Sequence, residues 1–225
     1  MKTNTSGSLT AIICNDECLY EGDLAHYFRA VFFNARNLNN PYHNFRHVFH
    51  VVWLCYCASV EYRYRLTRRE TRNLLIAAMF HDFDHTGMMG NDDVNITLAI
   101  RGLEKYLAPE DKEFVSEIVA LIRVTQYPYV VPANEVDLCG QILRDADLSQ
   151  ALSVAWIQQV IFGLSSEWNQ PPLEVLRKQI GFLRSLRFHT EWAQKEFDIE
   201  QKLSEVSVLL DLLEFGTSVN VAVKK

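Results

Sequence analysis

Apolar positions along the chain recur at three- and four-residue intervals, and no alternating stretch or hairpin turn suggests a strand. From Glu21 to Arg36, the residues Leu24, Tyr27, Phe28, Val31 and Phe32 share one helical face. Asn37-Leu38-Asn39-Asn40-Pro41 stops that helix, and a second runs from about Asn44 to Ser59. Thr67 to Phe80 predicts a third, with Thr67 and Glu70 at capping-box spacing. Its end, Leu74 to Phe80, is apolar throughout, as in a helix buried on every side. A loop over Gly87–Asn91 precedes a helix from Asp93 to Tyr106. Ala108-Pro109-Glu110 opens another, carrying Phe114, Ile118, Leu121 and Ile122 and ending near Tyr127-Pro128. Val130–Asn134 is a loop, and Glu135–Arg144 a short helix that opens onto Asp145-Ala146-Asp147-Leu148-Ser149. Helices are expected over Ser153–Leu164, Leu173–Arg187 and Trp192–Phe215. The pattern predicts an all-α fold, one compact domain of nine or ten helices over residues 21–215. Residues 1–20, without strong periodicity, are expected as an N-terminal arm, and 216–225 as a frayed tail. There is no internal repeat and no linker.

Composition narrows the picture. With 225 residues, 48% hydrophobic and 22% charged, the chain is long enough for one substantial core. No apolar run nears the ~20 residues that cross a bilayer, and Leu9–Cys14 is too short for a signal core, so a cytoplasmic location without membrane attachment is the expectation. A net charge of −6 argues against nucleic acid as the main partner, and the one basic cluster, Arg63 to Arg69, falls at a helix junction. The five cysteines (Cys14, Cys18, Cys55, Cys57, Cys139) are odd in number, complete no zinc pattern and read as reduced thiols.

The chemistry concentrates at His81-Asp82-Phe83-Asp84-His85-Thr86-Gly87, directly after the apolar helix. An imidazole and a carboxylate side by side suit a divalent cation that takes nitrogen and oxygen ligands. An isolated His-Asp pair is more often a chance feature of a surface loop, so further ligands must come from elsewhere. Upstream, His43, His47 and His50 are spaced four and three apart and fall on one helical face. Downstream, either Asp145 or Asp147 could return to the same ion, the other being a cap or a solvated acid.

Taken together, Tyr42-His43-Asn44-x-x-His47, the His81–Gly87 block and Ala146-Asp147-Leu148-Ser149 resemble HD-domain metallophosphohydrolases. More closely, they resemble the catalytic domain of class I 3′,5′-cyclic-nucleotide phosphodiesterases. Gln179-Ile180-Gly181-Phe182 is similar to the Q-x-G-F segment with which that family holds a purine. The resemblance spans about residues 41–183 and implies a nucleotide as small-molecule substrate. It implies His47, His81, Asp82 and Asp147 as metal ligands, with Asp82 bridging two divalent ions. The tighter site would suit Zn, Fe or Mn and the looser one Mg or Mn. It implies His43 as proton donor to the leaving oxygen, and His85 and Asp84 near the second ion or in its hydrogen-bonded surroundings, with His85 counted among the catalytic residues beside Asp82. Tyr42, Gln150, Gln179 and Phe182 would meet the substrate, and Asn44, His50 and Glu104 would support the ligands from behind. Two such ions activate a bridging water and clamp the phosphoryl oxygens, while a protonated His43 neutralises an alkoxide that leaves poorly by itself.

The chain departs from the family at several points. His50 stands where Asp is usual, Ser149-Gln150 replaces Ser-Asn, Thr86 replaces Pro, and the loop before Asn91 is one residue longer. Glu104 is the nearest counterpart of a glutamate from a segment that is shorter here. Three readings follow: hydrolysis of a cyclic nucleotide, hydrolysis of another nucleotide or phosphate ester, or a non-catalytic nucleotide-binding module. The full ligand set with His43 speaks against the last.

Overall fold

A computed structural model describes residues 8–90 and 92–223, with side chains described as far as residue 214. Among the described residues there are eleven α-helices and no strand. They are α1 (Leu9–Cys14), α2 (Ala25–Asn34), α3 (Phe45–Glu61), α4 (Arg68–Phe80), α5 (Asp92–Tyr106) and α6 (Val115–Arg123). After these come α7 (Leu138–Leu148), α8 (Gly163–Glu167), α9 (Pro172–Ser185), α10 (Glu191–Glu196) and α11 (Ile199–Val223). A π-helical turn, Ile157–Phe162, leads directly into α8. No helix among the described residues is long and apolar enough to cross a membrane.

Helix α4 is the hub. Its capping box is formed as the sequence predicts, Thr67 accepting from Glu70 N–H while the Glu70 carboxylate accepts from Thr67 N–H. From Thr71 to Phe80 every residue is buried, because α2, α3, α5, α6 and α7 pack around it. Such a helix needs no polar face, which explains its unbroken apolar run. The helices α1 to α7 share one hydrophobic core, and α8 to α11 surround a second. The chain therefore ends α4, at His81, inside the protein rather than at its surface.

Two contacts fix this hub. Asp111, fully buried, accepts from Arg72 Nε at 2.8 Å, from Arg72 Nη2 at 2.7 Å and from Tyr27 Oη at 2.7 Å, and also pairs with Arg69. This ties α2, α4 and the turn before α6 together. Gly102 lets α5 lie against Phe83, since a Cβ there would stand 2.3 Å from the ring.

Several boundaries differ from the expected ones. Where an arm was expected, Ser8 caps α1 and Ile12 is fully buried; residues 1–7 lie outside the described residues. The helix expected from Trp192 to Phe215 is two helices, because Phe197 is extended and Asp198 accepts from Gln201 N–H to start α11 afresh. That helix continues to Val223 rather than fraying at 216, and residues 224 and 225 lie outside the described residues. Helix α7 extends through Asp145 and Asp147 to Leu148 instead of releasing them into a loop.

Candidate functional site

The site lies where the two cores meet. Asn44 caps α3, accepting from the N–H groups of Arg46 and His47, and its own amide donates to Asn40 and Pro41 carbonyls. This fixes the first turn, so His47 points inward from α3 toward His81 at the end of α4. The His81 Nδ1–H donates to the Ala78 carbonyl at 2.9 Å, and the His47 Nδ1–H to Gln150 Oε1 at 2.8 Å. Each imidazole therefore turns its Nε2 to the centre.

There they meet two carboxylates. His47 Nε2 is 3.1 Å from Asp147 Oδ1, 3.3 Å from Asp82 Oδ2 and 3.4 Å from His81 Nε2. His81 Nε2 is 3.4 Å from Asp82 Oδ2 and 3.6 Å from Asp147 Oδ1. Ligands at about 2.0–2.2 Å from one ion in a tetrahedron stand roughly 3.3–3.6 Å apart, so the mutual spacings of His47, His81 and Asp82 fit a divalent cation, whereas Asp147 stands beside the two imidazoles without belonging to that close group. The buried Asp82 Oδ2 also has no hydrogen-bond partner, which a cation would supply. The residues thus fit a metal.

The electrostatics point the same way. Burial pushes the His47 imidazole down, but its bonds to Asp147 and Asp82 outweigh this and raise it to about 10. Burial likewise opposes the charge on Asp82, yet His81 and His47 hold it well below the usual carboxylate range. Asp147 is held at about 2 by His47 and His81 against the same cost. Both acids are anionic, in a field that favours positive charge.

A second group stands beside the first. His43, just before α3, donates from Nδ1 to Glu167 Oε1, and Glu167 Oε2 accepts from Tyr42 N–H at 2.9 Å and His43 N–H at 3.1 Å. His43 stacks on His85 with ring centroids 3.6 Å apart. His85 accepts from Gly87 N–H at Nδ1 and is lowered to about 4 by burial, so it is a neutral ring against which His43 is held. These three side chains lie close enough together to hold an ion. All of the Glu167 contacts to this loop, however, serve to orient Tyr42 and His43.

Both groups open into one cavity of about 350 Å³, within the range of small-molecule sites. Tyr42, Gln179 and Phe182 line it, as do Asp92, Asn95 and Lys178. Gln179 is buried and its amide makes no hydrogen bond among the described residues. Burial and the Asp147 carboxylate keep the Tyr42 phenol protonated.

Not every residue singled out from the sequence reaches this centre. Gln150 is no cavity residue: its carbonyl orients His47, although a substrate contact was expected. Asp84, in a left-handed conformation, turns to Arg36, accepting from its N–H at 2.8 Å and its guanidinium at 2.8 Å. His50 sits one turn behind His47 and donates to Ser149 Oγ at 3.2 Å, supporting α7 rather than an ion. Glu104 lies exposed on α5, off the face that carries Ala99, Gly102 and Leu103, and lines no part of the cavity. Asp145 accepts from His189 and Thr190 N–H and anchors α10, since side chains two apart on a helix point away from each other. Conversely, Glu167, Asp92, Asn95 and Lys178 were not anticipated, and the local sequence Ser165-Ser166-Glu167-Trp168 carries no signal for such a role.

Residues 42–99 match the family model described as 3′5′-cyclic nucleotide phosphodiesterase. The matched segment covers about a quarter of the chain and contains His43, His47, His81, Asp82 and His85, whereas Asp147, Glu167, Gln179 and Phe182 lie beyond it. A search among curated proteins finds no match. The matched family is one of metal-dependent phosphodiesterases, and the match indicates a hydrolase acting on a phosphodiester.

Proposed function

We propose that the chain opens a 3′,5′-cyclic nucleotide to the 5′-nucleotide. The observation that carries this reading is the shared cavity, with two imidazoles and two carboxylates converging on one wall and Gln179 with Phe182 on another. His47, His81, Asp82 and Asp147 would hold a divalent ion, and Asp82 would also reach a second. Ions there supply Lewis acidity toward the phosphoryl oxygens and an activated water. The remaining work falls to the protein's own side chains. His43 delivers a proton from Nε2 to the departing 3′ oxygen, since Nδ1 is committed to Glu167. Glu167, ionised because its contacts to His43, Tyr42 N–H and His43 N–H overcome the burial cost, fixes the ring. His85 packs on the ring's other face. Phe182 packs on the base and the Gln179 amide pairs with its polar edge.

The engagement of Gln150 with His47 favours a second reading, hydrolysis of a phosphate ester whose base is held more loosely. Purified protein supplied with Mn²⁺ or Mg²⁺ should be screened on cyclic mononucleotides, cyclic dinucleotides and nucleoside monophosphates. Release of a 5′-nucleotide from a cyclic mononucleotide is the expected result. Turnover confined to the other esters would transfer the assignment to the second reading.

A further inference from the structure

Lys178 lines the cavity one residue before Gln179 on α9, and it is the sole lysine or arginine among the described residues that do so. Its ammonium donates to Gln170 Oε1 at 2.7 Å. That partner is a neutral amide, and no carboxylate pairs with Lys178 among the described residues, while the side chain itself is exposed to solvent. The neighbouring acid Glu174 is taken by Arg177.

The two neighbours differ in what they can recognise. The Gln179 amide offers a donor and an acceptor, and no protein group fixes which one faces the cavity, so by itself it suits either purine. An ammonium only donates. Guanine and hypoxanthine present O6 and N7 as adjacent acceptors, whereas adenine replaces O6 with an amino donor. A lysine whose stem swings its ammonium to the base edge therefore attracts a 6-oxopurine and meets the adenine amino group donor to donor. Its flexible stem leaves the ammonium free to exchange Gln170 for such an oxygen.

Resting on the reading of the site as a cyclic-nucleotide hydrolase, we propose that Lys178 makes it selective for 6-oxopurine cyclic nucleotides over adenine ones. The test is kcat/KM on cGMP, cIMP and cAMP for the parent and for Lys178→Met, which keeps the stem and removes the charge and the donors. The parent should favour cGMP and cIMP by about 10-fold, and the variant should lose about 10-fold on both while staying within about 3-fold on cAMP. A parent that favours cAMP or shows no preference overturns the proposal. So does an equal loss on all three substrates, which marks a general attraction for phosphate. Turnover of all three without dependence on Lys178 overturns this inference alone, whereas turnover of none brings down the underlying function with it.

Discussion

Replacing Glu167 with Gln tests whether this carboxylate acts through His43. The side chain is 3% exposed and accepts from His43 Nδ1–H, His43 N–H and Tyr42 N–H. Gln preserves its volume and one oxygen but removes the negative charge opposite the imidazole. A hydrogen bond to a charged group contributes about 1.5–3 kcal/mol and a neutral one about 0.5–1.5 kcal/mol, so the imidazolium form of His43 loses roughly 1–2 kcal/mol. That is about a 5–30-fold fall in kcat if the proton transfer limits the rate. Misplacement of the ring by the new amide would raise the loss toward the whole contribution of a general acid, about 10²–10⁴-fold. The assay is kcat on a cyclic nucleotide, whose leaving group is an alkoxide, against a nitrophenyl phosphodiester, whose leaving group needs little protonation. The cyclic nucleotide should show the loss and the nitrophenyl ester only a small fraction of it, with bound metal unchanged. Equal losses on both substrates, or a loss of metal, would refute the argument that Glu167 serves the acid.

Asp82→Ala should abolish metal retention as well as activity, because it removes a buried oxygen that lies within 3.4 Å of both Nε2 atoms and has no hydrogen-bond partner; elemental analysis after Mn²⁺ loading reads this directly, and full metal content would count against the centre. Asp111→Asn should cost about 3–5 kcal/mol of stability by leaving the buried Arg72 beside a neutral group, a fall in Tm of roughly 6–20 °C. Burial opposes the Asp111 charge, but Arg72 and Tyr27 hold its pKa below the usual carboxylate value. A depressed folded pKa contributes stability above the unfolded value of about 3.9 and loses it as pH falls through the folded one. The gap between parent and variant should therefore be full at neutral pH and shrink below about pH 4; a gap that widens in acid would reverse the sign of the argument.

The sequence made the α-helical class plain because helical spacing persists from Leu24 onward, and it made α4 plain because its capping box and apolar run are both local features. His47, His81 and Asp82, whose side chains lie close together with Asp147 against His47, were readable as candidates because their motifs combine residue type with spacing. Gln150 was read for the substrate and Glu104 for the ion's surroundings because spacing says nothing about which way a side chain turns. Helix packing set Gln150 against His47 and left Glu104 in solvent. Glu167 was illegible for the complementary reason: its partner His43 is 124 residues away, and no feature of α8 announces it. The break at Asp198 did carry a signal, an Asp three residues before Gln201, which the apolar continuity of the segment outweighed.

The position of the site on the boundary between two hydrophobic cores has a consequence for how such a protein can diverge. His43, His47, His81 and Asp82 stand on elements packed around α4, with Asp147 at the end of α7, while Gln179, Phe182 and Lys178 ride on α9 in the other core. On the proposed reading, bond cleavage and base choice thus reside on separately packed scaffolds. Substitutions that re-tune α9 can alter which nucleotide is accepted without disturbing the hydrolytic residues, and drift in one trait need not be matched by repair in the other. Glu167, at the end of α8, is the exception: it is the second core's contribution to the proton-delivering loop, and the point at which the two traits remain mechanically joined.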